Sequence, residues 1–122
     1  MKTYLLLSLI FCHFLADYTH LSTAWMLNAK RLGRPLFPIL CHAGIHAVLM
    51  AIAFWGFGFS GFIVIKMFFV QLLLHFFIDT WKGLMNTWFP VLQSPANKWH
   101  WVVFGFDQFL HAIVIIVMVS VS

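Results

Sequence analysis

Glutamate is absent from this 122-residue chain, and its only acidic residues are three aspartates. Charged residues make up 8% of the sequence, where a soluble domain carries about 25%. That scarcity excludes an ordinary soluble globular fold, which needs a charged exterior. There is no internal repeat and no low-complexity tail, so residues 1–122 read as a single domain. Only two cysteines occur, Cys12 and Cys41, both within apolar segments. There a thiol packs as a small apolar group rather than as half of a disulfide or a metal ligand. No serine or cysteine shares a helical face with the histidines, so a Ser–His or Cys–His nucleophile is not encoded.

Apolar side chains fill the space these absences leave. They amount to 63% of the chain, with 19% aromatic, which is the composition of an integral membrane protein. The net charge of +4 comes from seven Lys and Arg. These residues border apolar segments, so membrane orientation and anionic headgroups explain them, and no nucleic-acid partner is expected. Lys2 followed by "YLLLSLIF" resembles a secretory signal. The apolar run, however, enters His13 and Asp17 and continues beyond them, so it is expected to be a retained first span.

Four segments are apolar enough to cross a hydrocarbon core of about 30 Å, at approximately 4–27, 37–57, 62–85 and 101–121. Gly33, Pro35 and Pro38 break the chain after the first, "GFGFSG" after the second, and Pro90 and Pro95 after the third. Lys30, Arg31 and Arg34 lie in the first loop and Lys98 in the third, leaving Lys2 and Lys66 on the other side. The positive-inside rule then predicts an all-α fold, a four-helix transmembrane bundle with both termini on the non-cytoplasmic side. Trp25, Trp88, Trp99 and Trp101 would form the inner aromatic belt, and Trp55 with Tyr4 the outer one.

Each predicted span carries one pair of titratable residues: His13 and Asp17, His42 and His46, His75 and Asp79, Asp107 and His111. Every pair is spaced i, i+4, which places both side chains on one helical face, a turn apart. All eight fall within reach of one layer in the cytoplasmic half of the bundle, and every acid in the chain belongs to the set. Titratable groups in hydrocarbon cost about 2.5–3.5 kcal/mol each and are kept for a use. Five imidazoles with three carboxylates suit one or two divalent metal ions, zinc or iron better than calcium or magnesium, since there is no carboxylate excess. Inward pairs from every helix are how four-helix di-metal proteins are built. For any one histidine taken alone, an interhelical hydrogen bond is the plainer reading, and for the set a proton relay is the alternative.

Gln71, His75, Asp79, Lys82 and Asn86 continue a polar stripe along the third span. Lys82 lies one turn beyond Asp79 towards the mouth, either to hold an anionic substrate group or to snorkel. His20 lies one turn past Asp17, and Gln108 is turned about 100° from Asp107; these two and Gln71 are expected as outer partners of the ligands. Gly33, Gly44 and Gly83 are expected at turns or close helix approaches.

The segments "HFLADY…WM…K", "HAGIH", "HFFIDTWK" and "DQFLH", in that order over nearly the whole chain, resemble the bacterial membrane family catalogued as domain of unknown function 3307. The resemblance implies a bacterial inner (cytoplasmic) membrane location. It marks His13, Asp17, Lys30, His42, His46, His75, Asp79, Lys82, Asp107, Gln108 and His111 as characteristic positions. Relatives carry a glutamine shortly after the first aspartate, where this chain reads "YTHLST". A looser similarity, to small membrane metal-dependent hydrolases, is analogy.

The expected function is an intramembrane metal-dependent hydrolase, with Asp79 handling the proton and Lys82 beside it. Its substrate would be lipid-like with an anionic head, entering from the bilayer or the inner face. A divalent-metal or proton transporter is the principal alternative. Four spans are few for transport, which would call for a homo-oligomer, and the outer halves "AVLMAIAFWGF" and "AIVIIVMVSVS" offer no polar path. A redox di-iron enzyme is disfavoured by the single HxxxH. A structural or regulatory subunit whose metal staples the bundle is the fourth reading.

Overall fold

A computed structural model describes all 122 residues. The chain is all-α, with five helices and no strand: α1 (Lys2–Tyr18), α2 (Ala24–Leu32), α3 (Leu36–Gly56), α4 (Gly61–Trp88) and α5 (Lys98–Val121). A single 3-10 turn, Pro90–Gln93, joins α4 to α5.

Three helices are long and apolar enough to cross a membrane, α3, α4 and α5, rather than the four expected. The first predicted span is broken. Its helix ends at Tyr18 after 17 residues, about 26 Å at 1.5 Å per residue, short of a 30 Å core. The polar run Tyr18–Thr19–His20 and Ser22–Thr23 stops it: Thr19 turns extended, and its hydroxyl donates back to the Leu15 carbonyl. Thr23 then caps a separate helix by accepting from the Met26 N–H, so Trp25 and Leu27 belong to α2. Lys30 and Arg31 consequently lie in the last turn of a helix rather than in a loop.

Gly33 closes α2 with φ +72°, a left-handed cap that glycine adopts without strain, and its N–H donates to the Ala29 carbonyl at 2.8 Å. Ser60 and Asn97 cap α4 and α5 by accepting from the N–H groups of Ile63 and Trp99. Pro38 sits buried in the first turn of α3, where a missing N–H costs nothing.

Around the bundle α1 packs on α3, α3 on α4, α4 on α5, and α5 back on α1; α2 lies across α3 and α4 at one end. That crossing is close. A Cβ added to Gly83 would collide with the backbone of Gly33 and with the Lys30 carbonyl. Asn86 donates to the Arg31 carbonyl at 3.0 Å, and Thr87 to the Leu32 carbonyl at 2.8 Å. Gly44, by contrast, faces open space and permits no close approach.

The interior is divided lengthwise. At the end away from α2, one apolar cluster fills the bundle: Leu5, Leu9, Met50, Phe54, Met67, Val114, Ile115, Met118 and Val119. At the α2 end the interior is polar, with His42, His46, His75, Asp79, Asp107 and His111 all buried. Outside, large apolar side chains stand exposed along every helix, among them Phe62 at 78% and Trp55 at 74%. Water would not tolerate such a surface, and lipid would.

Candidate metal centre

The i, i+4 pairing becomes convergence because four helices turn those faces inward at one level. On α3, His42 and His46 point at α1, where the Asp17 Oδ1 lies 2.9 Å from His42 Nε2 and 3.0 Å from His46 Nε2. The two Nε2 atoms are 3.3 Å apart. On α4, His75 Nε2 lies 3.0 Å from Asp79 Oδ2, and His111 Nε2 reaches from α5 to within 3.4 Å of Asp79 Oδ1. The His46 and His75 rings lie with centroids 3.8 Å apart, tilted by 31°, joining the two halves.

Two groups of ligand atoms emerge: Asp17, His42, His46 and His75, and His75, Asp79 and His111, each with its atoms within 4.8 Å of one another. Either group could hold a metal ion. Ligands at about 2.0–2.2 Å from one ion lie roughly 3.0–3.4 Å from each other at octahedral to tetrahedral angles, which matches these separations. The chemistry of the donors also fits. His75 Nε2, His111 Nε2 and both Asp79 oxygens are buried and close, yet none has a hydrogen-bond partner in an acceptable direction. Lone pairs that converge without bonding one another are what a shared cation satisfies.

The distal nitrogens of His111 and His75 are held, while Nδ1 of His42 and of His46 is buried without a partner. His111 Nδ1 donates to its own Asp107 carbonyl at 2.8 Å, so Nε2 carries the free lone pair. Gln71 meets His75 Nδ1 at 3.2 Å, and its carbonyl oxygen is otherwise unpartnered. With that amide in the other orientation, the ring N–H donates to the oxygen and Nε2 is free to ligate. Because Gln71 occupies Nδ1, His75 serves one ion at a time.

Of the residues expected from sequence, His13, Asp17, His42, His46, His75, Asp79, Asp107 and His111 lie close together with Gln71 and Gln108, but His13 and Asp107, expected as ligands, stand outside both ligand groups. His13 Nε2 lies 3.2 Å from Asp17 Oδ2 and 3.4 Å from Gln108 Oε1. His20 does not join them; it is exposed in the turn after α1. Lys82 lies 3.8 Å from Asp107 Oδ2 rather than beside Asp79.

The cation at the two carboxylates is Lys30, whose Nζ is 3.5 Å from Asp17 Oδ1, 3.5 Å from Asp79 Oδ2 and 3.1 Å from His42 Nε2. Sequence reasoning placed this lysine in a loop. The signal that could have found it was "TAWMLNAKRLG", a threonine cap and a terminal glycine framing a short helix that returns to the bundle. Burial pushes the Lys30 ammonium towards neutrality, but Asp79 and Asp17 outweigh that, holding it charged and above its ordinary range. Lys30 and Lys82 offset two of the three carboxylates, leaving one negative charge for a divalent ion to meet, with a net of +1.

Above the ligands, a polar cavity of about 320 Å³ opens beneath α2, bounded by Lys30, Arg31 and Lys82 and by Asp17, Asp79 and Asp107, with Gln108 at its wall. Asp107 faces it and stands outside both ligand groups.

A family model described as "Protein of unknown function (DUF3307)" matches residues 5–122. No curated protein and no solved structure matches the chain.

Proposed function

This chain belongs to the family of unknown function DUF3307, and from its polar centre we propose that it is an intramembrane metal-dependent hydrolase acting on an amphiphile with an anionic head. The observation that carries the reading is a ligand set beside a cavity that also holds a carboxylate and lysine outside that set, Asp107 and Lys82. In this reading α1 completes a four-helix bundle in the membrane. The end bearing Lys30, Arg31, Arg34 and Lys98 faces the cytoplasm, and the host membrane is the bacterial inner membrane.

Asp17, His42 and His46, with His75 from α4, would hold one zinc or iron ion, with Asp79 and His111 flanking it. A divalent ion bound there supplies Lewis acidity and an activated water. The protein supplies the rest. Asp107, with Oδ1 unpartnered and Lys82 at 3.8 Å from Oδ2, accepts the proton released at the cavity wall. Both Asp79 and Asp107 line the cavity, and the position of Asp107 outside the ligand groups favours it over Asp79, which His75, His111 and Lys30 surround. Arg31 and Lys82 draw the anionic head into the cavity.

Conduction is disfavoured because the nine-residue apolar cluster plugs the half of the bundle beyond His46. The test is elemental analysis of detergent-purified protein beside His42→Ala/His46→Ala, with a screen of phosphate and carboxylate esters of long-chain alcohols. One equivalent of zinc or iron that the variant lacks, together with metal-dependent turnover, supports the reading. A folded, metal-free parent refutes it.

A further inference from the structure

A second hollow, of about 280 Å³, lies on the flank of the bundle between α1 and α5. Its walls are apolar, Leu6 and Ile10 on one side and Ala112 and Ile116 on the other, and its polar floor is His13 with Gln108. Ile10 and Ile116 are half exposed, so the hollow opens sideways, where lipid tails lie, rather than towards either end of the bundle. Gln108 borders both this hollow and the polar cavity beneath α2. Its amide spans the wall between them: Oε1 lies 3.4 Å from His13 Nε2, and Nε2 donates to Asp107 Oδ2 at 3.1 Å.

We infer that the α1–α5 hollow seats the single hydrocarbon chain of the substrate, which enters laterally from the bilayer past Gln108 while its anionic head lies in the cavity of Lys30, Arg31 and Lys82. The inference rests on the hydrolase reading for what happens at the head, but the chain seat stands on its own geometry. One occupant fits both surfaces. An apolar trough that adjoins, across Gln108, a chamber where Lys30, Arg31 and Lys82 face Asp17, Asp79 and Asp107, and which a bound divalent ion would make cationic, complements a molecule that is apolar at one end and anionic at the other. The two volumes each suit part of such a molecule, since ligand sites span about 300–1,000 Å³ in all. A membrane protein has no need of an apolar trough for solubility, and one that ends on a hydrogen-bonded polar pair offers a route to the interior. The His13–Gln108 contact is the barrier along that route: it is long at 3.4 Å, and His13 has its nearer partner in Asp17 Oδ2 at 3.2 Å, so His13 can keep that contact when Gln108 parts from it. Gln108 is therefore a positioning residue, closing the wall when the trough is empty and parting from His13 when a chain and head straddle it.

The probe is hexadecyl phosphate carrying a mid-chain diazirine, photolysed with the full chain in lipid nanodiscs and mapped by mass spectrometry. Labelling should concentrate on Leu6, Ile10, Ala112 and Ile116 and be competed by unlabelled hexadecyl phosphate. Ala112→Phe and, independently, Ile116→Trp should lower it on the order of ten-fold, since each methylene excluded from an apolar seat weakens binding about four-fold. Ile65→Phe, on the lipid side of α4, should leave it unchanged. Equal labelling of Phe69 and Leu73 on α4 in the parent protein overturns the inference, without recourse to any variant. So does undiminished labelling in both filled variants. Elemental analysis of the same samples separates the two readings. Focused labelling without metal keeps the chain seat and removes the hydrolase; metal with diffuse labelling does the reverse.

Discussion

Replacing Gly83 by alanine adds one methyl group at the crossing of α2 over α4, and the consequence can be worked from the contacts there. The new Cβ would meet the Gly33 N and Cα and the Lys30 carbonyl, all backbone atoms that no rotamer change can move aside. Overpacking of this kind costs about 1–3 kcal/mol, and here α2 must lift. Lifting it strains or breaks the Asn86 and Thr87 hydrogen bonds to the Arg31 and Leu32 carbonyls, worth about 1 kcal/mol each. The loss is then about 3–5 kcal/mol. For a chain of this size that lowers the Tm by roughly 10–20 °C. Lys30 moves with α2 and leaves Asp17 and Asp79, so affinity for a metal changes as well. The assay is thermal unfolding in detergent by tryptophan fluorescence, with Gly44→Ala alongside, since nothing lies within 4 Å of a Cβ there. Gly44→Ala should match or exceed the parent protein. A Gly83→Ala protein melting within about 2 °C of the parent would refute the close crossing and the placement of Lys30 that depends on it.

Asp107→Asn should lower turnover about 10²–10⁴-fold while metal content stays at the parent level; full turnover removes it as proton acceptor. Lys30→Met strips the ammonium from between Asp17 and Asp79, so the metal-free protein should lose about 3–5 kcal/mol, while zinc binds more tightly because a competing cation is gone. Calorimetry with and without zinc checks both, and equal melting temperatures for metal-free parent and variant would contradict the ion pairs. Bound metal should fall away as pH drops from about 7 to 5, because histidine ligates only when neutral; stability contributed by the metal is present above that window and lost below it. Thr23→Ala should cost about 1 kcal/mol by uncapping α2, read in the same melting assay.

The site was more legible in the sequence than the fold around it. Four i, i+4 pairs declare their own convergence, because helical periodicity fixes a common face and apolar surroundings leave polar side chains only one another. The end of α1 was less legible. Hydropathy runs on through Leu21 and Trp25, and the break at Thr19 depends on side-chain hydroxyls competing for backbone groups, a local effect that hydropathy does not register. Lys30 was hidden by the same error, since a lysine assigned to a loop is not looked for at a buried carboxylate. The pairing of Lys82 with Asp107 instead of Asp79 is a matter of interhelical rotation, which spacing along one helix cannot supply. Gly44 and Gly83 read alike in sequence; only the path of α2 tells them apart.

Three helices are long and apolar enough to cross a membrane, and the distribution of acids over the helices bears on how such a chain would enter one. α1, α4 and α5 carry one aspartate each and α3 none. An insertion machine weighs each helix singly, and one aspartate at about 2.5–3.5 kcal/mol is outweighed by the leucines, isoleucines and phenylalanines around it. Three on one helix would cost on the order of 8–10 kcal/mol and leave that segment stranded in water. Dispersed in this way, the carboxylates leave α4 and α5 apolar enough to span before any partner is present. The polar centre then comes into being only when the last helix docks.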